Sequence, residues 1–206
     1  MLTRKRLLAT ALPTTAGLLF TAYVLAVLGG APGSAAAAPL SGGIRYVTPA
    51  GSDAANDCSG LGSPCQTIQW ALGQAQGGDQ IWAAAGVYTS AGGTVADITQ
   101  TVTLQGGWNS AFSHNDPASQ PTILDGQGLQ PVVVISPTAL PVGAQITPTV
   151  AGLVVTHGQG QSDYCGAGVV SPADCGGGIA SLYADPLIVN NVISDNVGGN
   201  NSFGFG

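Results

Sequence analysis

The chain has 206 residues, four Lys or Arg, ten Asp and no Glu, with a formal net charge of −6. Three of its basic residues are Arg4, Lys5 and Arg6, so residues 39–206 hold Arg45 alone against all ten aspartates, a net charge of −9. That balance excludes a nucleic-acid interface, which needs a basic footprint. The scarcity of Lys and the lack of Glu exclude long solvated helices, and 32 glycines among many Val, Ile and Leu point to a turn-rich β architecture.

In chain order, the basic start is followed by an apolar run, densest from Ala16 to Leu28, and then by Ala35 to Ala38. This is the layout of a secretory signal peptide over residues 1–38, with cleavage near Ala37 or Ala38. A retained membrane anchor is the other reading of the same apolar length. Residues 39–206 then form one domain, on a secreted or cell-surface protein. The four cysteines fall in two local pairs, Cys58 with Cys65 and Cys165 with Cys175. In an exported protein these read as disulfides; three pairings satisfy four cysteines, and proximity favours the local one. Zinc is the rival reading, against which neither pair has CxxC spacing.

A strand is expected at Arg45–Thr48. The next segment, SPCQTIQWALGQAQGG, holds one helix: Ile68, Ala71, Leu72 and Ala75 fall at i, i+3, i+4 and i+7, and Gly77-Gly78 would end it. QIWAAAGVY reads as a strand running into a turn at Gly86. From there short apolar or β-branched stretches alternate with Gly or Asn turns: TVTLQGGW, TILDGQG, PVVVIS, TVAGLVVTHGQG, GGGIASL and PLIVNNVISDN. No second helix is expected, which leaves a sandwich, a barrel or a solenoid.

Strand ends recur as Leu104-Gln105-Gly106, Leu124-Asp125-Gly126, Thr156-His157-Gly158 and Ser194-Asp195-Asn196. Aligned, they predict a parallel β-solenoid with insertions confined to loops. The adjacent pair Asn190-Asn191 fits the same picture. One amide would turn inward and bond to neighbouring turns of the chain, at the ordinary ~4.8 Å strand spacing. The alternative is a surface hairpin with the two asparagines at its tip.

The segment YVTPAGSDAANDCSGLGSPCQTIQWALGQAQGGDQIWAAAGVYT resembles the amino-terminal module of right-handed parallel β-helix proteins of the pectin-lyase-like superfamily. The matching features are the Tyr46-Val47 strand, Pro64-Cys65-Gln66-Thr67-Ile68 before the helix, Gly78-Asp79, and Gly86-Val87-Tyr88. GGGIASLYADPLIVNNVISDN is similar to the repeated coil of those proteins. The resemblance implies an all-β fold. Residues 45–90 would form a cap and first coil, with the helix face plugging the amino-terminal end. Residues 98–206 would form further coils, incomplete at the carboxyl end.

For activity the resemblance implies less. The lyases of that superfamily use acidic residues for Ca²⁺ and a basic residue to abstract a proton. Arg45, in the first strand, is in the wrong place for that role. The hydrolases use clustered carboxylates, for which Asp125, His157 and Asp195 are the one candidate set; as turn residues, they equally cap strand ends. No cofactor is expected, Ca²⁺ excepted, because aspartates and carbonyls suit a hard cation. Trp108, Phe112 and Tyr164 are candidate sugar-stacking residues. The expected function is therefore a secreted or cell-surface, non-catalytic scaffold that binds carbohydrate, a polysaccharide or surface glycan, or another surface. A polysaccharide-degrading enzyme is the alternative, and an adhesin or secretion passenger a third reading.

Overall fold

The computed structural model describes residues 42–137, 145–161 and 176–198. The signal segment, Tyr164, the Cys165–Cys175 pair and the last eight residues lie outside them. The described chain is mostly β. Its twelve strands are β1 (Ile44–Val47), β2 (Gln80–Ala84), β3 (Gly86–Tyr88), β4 (Ala96–Ile98), β5 (Thr103–Trp108), β6 (Thr122–Asp125), β7 (Val133–Ile135), β8 (Thr149–Ala151), β9 (Leu153–Thr156), β10 (Ile179–Ser181), β11 (Leu187–Val189) and β12 (Val192–Ser194). The one helix among the described residues is α1 (Ile68–Gln74).

The strands form three sheets: β1-β2-β5-β8-β11, β3-β6-β9-β12 and β4-β7-β10. Every strand pair in them is parallel. From β2 onward the chain visits the three sheets in the same order, so each circuit lays one strand on each sheet. Parallel neighbours of this kind put like residues in columns. In the first sheet Ile81, Leu104, Val150 and Ile188 are in register. In the second the column is Tyr88, Leu124, Val155 and Ile193; in the third, Ile98 and Ile135 pair. Ile81, Leu104, Val150, Leu124, Val155, Ile98 and Ile135 are completely buried. Strand periodicity sends alternate residues inward, and these columns form the core.

The helix covers the β1 end of this core. Ile68, Ala71, Leu72 and Ala75 are all buried, as their spacing predicts. Thr67 caps the helix by accepting the Trp70 N–H at 3.1 Å, while Asp53 accepts from the Gln66 and Thr67 N–H groups at 2.7 and 3.1 Å. The helix stops at Gln74, before Gly77: Ala75 turns to an extended conformation and its N–H bonds back to Leu72. The glycines shape the following loop instead.

A Cys58–Cys65 disulfide closes the loop beside β1. Both cysteines are fully buried. The Tyr46 N–H donates to Cys58 O, the Cys65 N–H to Tyr46 O and the Thr48 N–H to Cys65 O. The cross-linked loop thus occupies the outer edge of β1, which would otherwise be an unpaired strand edge. A loop of this size contributes about 2.5 kcal/mol by chain-entropy arithmetic. A disulfide of this kind belongs to an oxidising compartment rather than the cytosol. No described helix is long and apolar enough to cross a membrane.

Arg45 and Asp79 lock the same end. The Arg45 Nε and Nη2 lie 3.0 and 2.9 Å from Asp79 Oδ2, and Nη1 donates to Asp57 O at 2.8 Å. Asp79 also accepts from the Gly43 and Gln76 N–H groups at 2.7 and 3.0 Å. Burial pushes its carboxyl up, but these N–H donors and the Arg45 guanidinium outweigh burial and hold it below its ordinary value.

Three expectations change. Leu104 does not stack on Leu124: it pairs with Ile81 and Val150 in the first sheet, whereas Leu124 lies in the second. The 20-residue step between them moves from one sheet to the next rather than round a whole circuit. Asp125 pairs with Thr156, not His157, because the second sheet's strand runs one residue further before its turn in that circuit. The turn after β2 falls at Ala85, and Gly86 already opens β3.

The Asn190-Asn191 pair is not a hairpin tip. It separates β11 and β12, which belong to different sheets. Asn190 takes the left-handed conformation, φ 56°, as Gly152 does one circuit earlier at φ 68°. Asn191 turns in: its Oδ1 accepts the Leu153 N–H at 2.9 Å and its Nδ2 donates to Val150 O at 2.8 Å. Asn196 repeats the device, accepting from the Gly158 N–H and donating to Val155 O. Replacing Asn191 by alanine strands one donor and one acceptor of the preceding circuit and is expected to lower unfolding free energy by about 1–3 kcal/mol. Urea titration beside Asn190→Gly, which removes a side chain without such bonds and keeps the left-handed conformation free of strain, checks this.

Candidate functional site

The site candidates sit where the second sheet's strands end. After β6, β9 and β12 the chain turns through a left-handed residue: Gln127 at φ 55°, His157 at 52° and Asp195 at 57°. Non-glycine residues in that region are uncommon and favour short polar side chains. Close approach of successive turns explains the glycines between them. A Cβ on Gly126 would meet His157 O at 2.8 Å, and one on Gly158 would run into the Gly177 carbonyl.

Stacked in this way, the three turns line an open cleft of about 430 Å³, bounded by Asp125, Gln127, His157, Gln159, Asp195 and Val197 with two glycines. His157 Nδ1 lies 3.2 Å from Asp125 Oδ1. That oxygen also accepts the Gln127 N–H at 2.9 Å, which fixes the carboxylate against its own turn. The His157 side chain is 58% exposed and that of Asp125 27%, so the pair faces solvent. Asp195 is exposed on the same cleft. Ser194 and Asp125 both register with Thr156, so their backbones stand two strand spacings apart, roughly 9–10 Å, and Asp195 is the next residue after Ser194. His157 belongs to the turn between them, directly after β9.

The three residues of the candidate acid set are therefore brought to one surface. Trp108 and Phe112 are elsewhere, and Tyr164 lies outside the described residues. Trp108 is a residue of β5 and stacks face to face on Trp82, ring centroids 3.8 Å apart. Tyr46 meets Trp82 edge-on at 5.9 Å and Phe112 at 5.0 Å. Phe112 is only 6% exposed. The loop after β5 folds it onto Tyr46, so its ring is spent on packing and offers a ligand no free face. Of the two roles open to Phe112, sugar stacking or closing a loop over the core, its burial fits the second, on Tyr46 and Trp82, which stand in register on β1 and β2. Trp82 is the aromatic that spacing could have found, two residues beyond Gln80 on the same strand face.

Among the described residues no three His, Cys, Asp or Glu side chains gather as a metal site. Chemically the cleft offers two carboxylates, an imidazole and two amides, with no Lys or Arg. It can accept hydrogen bonds from hydroxyl or ammonium groups on a ligand, and donate from the amides and the imidazole.

Compared with protein-family models, with curated proteins and with solved structures, the chain matches none.

Proposed function

We propose that this chain is an exported right-handed parallel β-helix, of the pectin-lyase-like kind, that holds a glycan in the Asp125–His157–Asp195 cleft without cleaving it. The fold reading is supported by the repeated visit to three parallel sheets, the inward asparagines and the helix over one end. Export is supported by the basic-apolar-alanine start and by the Cys58–Cys65 disulfide. The observation that carries the binding reading is the cleft, where polar side chains from three successive turns converge around the Asp125–His157 pair. Sugars are bound by such convergent polar groups in a concave site.

A hydrolase is the second reading, favoured by the two carboxylates. Inverting pairs stand about 6.5–9.5 Å apart with a water between them, and retaining pairs about 5–5.5 Å. Against it, Asp125 Oδ1 is already engaged by the Gln127 N–H and His157 Nδ1. A lyase lacks its base, since Arg45 is bound to Asp79.

The test is a panel of neutral, acidic and amino polysaccharides, scored for binding and for release of reducing ends. Expected are binding to one member, no release, and at least tenfold weaker binding by Asp125→Ala and Asp195→Ala. Cleavage by the wild type that either folded variant loses would replace this reading with the hydrolase.

A further inference from the structure

The cleft's charge narrows its ligand. Residues 46–206 contain ten aspartates and not one Lys or Arg. The nearest cation in sequence, Arg45, is held by Asp79 and the Asp57 carbonyl at the β1 end of the first sheet. The cleft belongs to the second sheet's ends on β6, β9 and β12, and Asp125, His157 and Asp195 are its only titratable groups among the described residues. Asp125 is shared with His157 through Oδ1 and leaves Oδ2 unbonded, while the Asp195 carboxylate has no hydrogen-bond partner among the described residues. Two carboxylates with spare acceptor capacity, carried by turns two strands apart in the second sheet, therefore face a ligand with no compensating cation.

We propose that, within the glycan-binding reading above on which this rests, the ligand is an amino-sugar polymer whose free amines are protonated, and that uronate polymers are refused. An ammonium group offers three donors to acceptor-only carboxylates and gains charge-assisted hydrogen bonds. A uronate carboxylate meets like charge and finds no Arg or Lys to bind it. The Gln127 amide is left for the sugar hydroxyls, as is the Gln159 amide oxygen, whose nitrogen already donates to Gly160 O and Gly198 O.

Isothermal titration at pH 6, where the sugar amines are protonated and aspartates stay ionised, and at low salt, with oligomers of glucosamine, of N-acetylglucosamine and of galacturonate, decides it. The full folded protein is compared with Asp195→Asn, Asp125→Asn and Asp185→Asn, the last an exposed aspartate outside the cleft that makes the same change in net charge. Melting temperatures establish that each variant is folded. Expected are glucosamine oligomers binding at least tenfold tighter than the acetylated ones, no detectable galacturonate binding, and a tenfold loss in the cleft variants but not in Asp185→Asn. The advantage should shrink as salt is raised. Equal loss in Asp185→Asn means diffuse attraction to an acidic protein and overturns the proposal. If acetylated or acidic oligomers bind as well as glucosamine and depend on the cleft, the amine preference fails while the glycan-binding reading stands. If no oligomer binds, both fail.

Discussion

Asp79→Ala is expected to lower the unfolding free energy by about 3–5 kcal/mol, the range for breaking one partner of a buried ion pair. The Arg45 and Asp79 side chains are 16% and 7% exposed, so removing the carboxylate strands a charge with little water to replace it. The loss goes beyond the arginine. Gly43 and Gln76 each lose the acceptor of a backbone N–H, and those two groups tie the approach to β1 and the end of the α1 loop to one point. Denaturant unfolding of the variant beside the wild type measures the effect. The pH dependence has a definite sign. Because the folded carboxyl is held below its ordinary value of 3.8, its stabilisation is complete above that value and fades as pH falls through the lower, folded one. The difference between wild type and Asp79→Ala should therefore be flat near neutrality and close only in strong acid.

Leu124→Ala should lower stability by about 2–5 kcal/mol, while Ile193→Ala should do clearly less. The two residues belong to one column of the second sheet, joined through Val155. Leu124 has Tyr88 on one side and Val155 on the other and is fully buried. Among the described residues Ile193 has a column neighbour, Val155, on one side only, and it remains 45% exposed. Its truncation removes fewer contacts and leaves no closed cavity. Urea midpoints at constant m-value for both variants compare the two depths directly. Equal losses would mean that column position does not set burial.

Local patterns were legible in the sequence because they depend on neighbours a few residues apart. The spacing of Ile68, Ala71, Leu72 and Ala75 gives the buried helix face, and the seven-residue separation of Cys58 and Cys65 gives the disulfide. Asn191 was readable for a related reason: an amide between β-branched runs needs partners, and a parallel neighbour supplies them. The proximity of Asp125, His157 and Asp195 followed from strand-end similarity, although Asp125 is one residue out of phase. What stayed hidden depends on circuit length, which varies. Turns from sheet to sheet and turns from circuit to circuit use the same Gly and Asn chemistry, so Leu104 could be laid over Leu124 without any local contradiction. The Arg45–Asp79 lock joins residues 34 apart in sequence, and no periodicity marks it. Phe112 reads as a loop aromatic, and only the register of Tyr46 with Trp82 shows what it packs on.

The parallel order of the second sheet is the premise of the core, the amide bonds and the cleft alike, and paired cysteines measure it. Val87, Ile123 and Val154 follow one another in register on β3, β6 and β9. Neighbours in that column are one strand spacing apart, about 4.8 Å, within disulfide reach; Val87 and Val154 are two spacings apart, roughly 9.6 Å, and beyond it. Under mild oxidation the Val87→Cys/Ile123→Cys and Ile123→Cys/Val154→Cys proteins should cross-link in the folded state, and Val87→Cys/Val154→Cys should not. Cross-linking of the last pair, or of none of the three, would contradict the stacked parallel circuits.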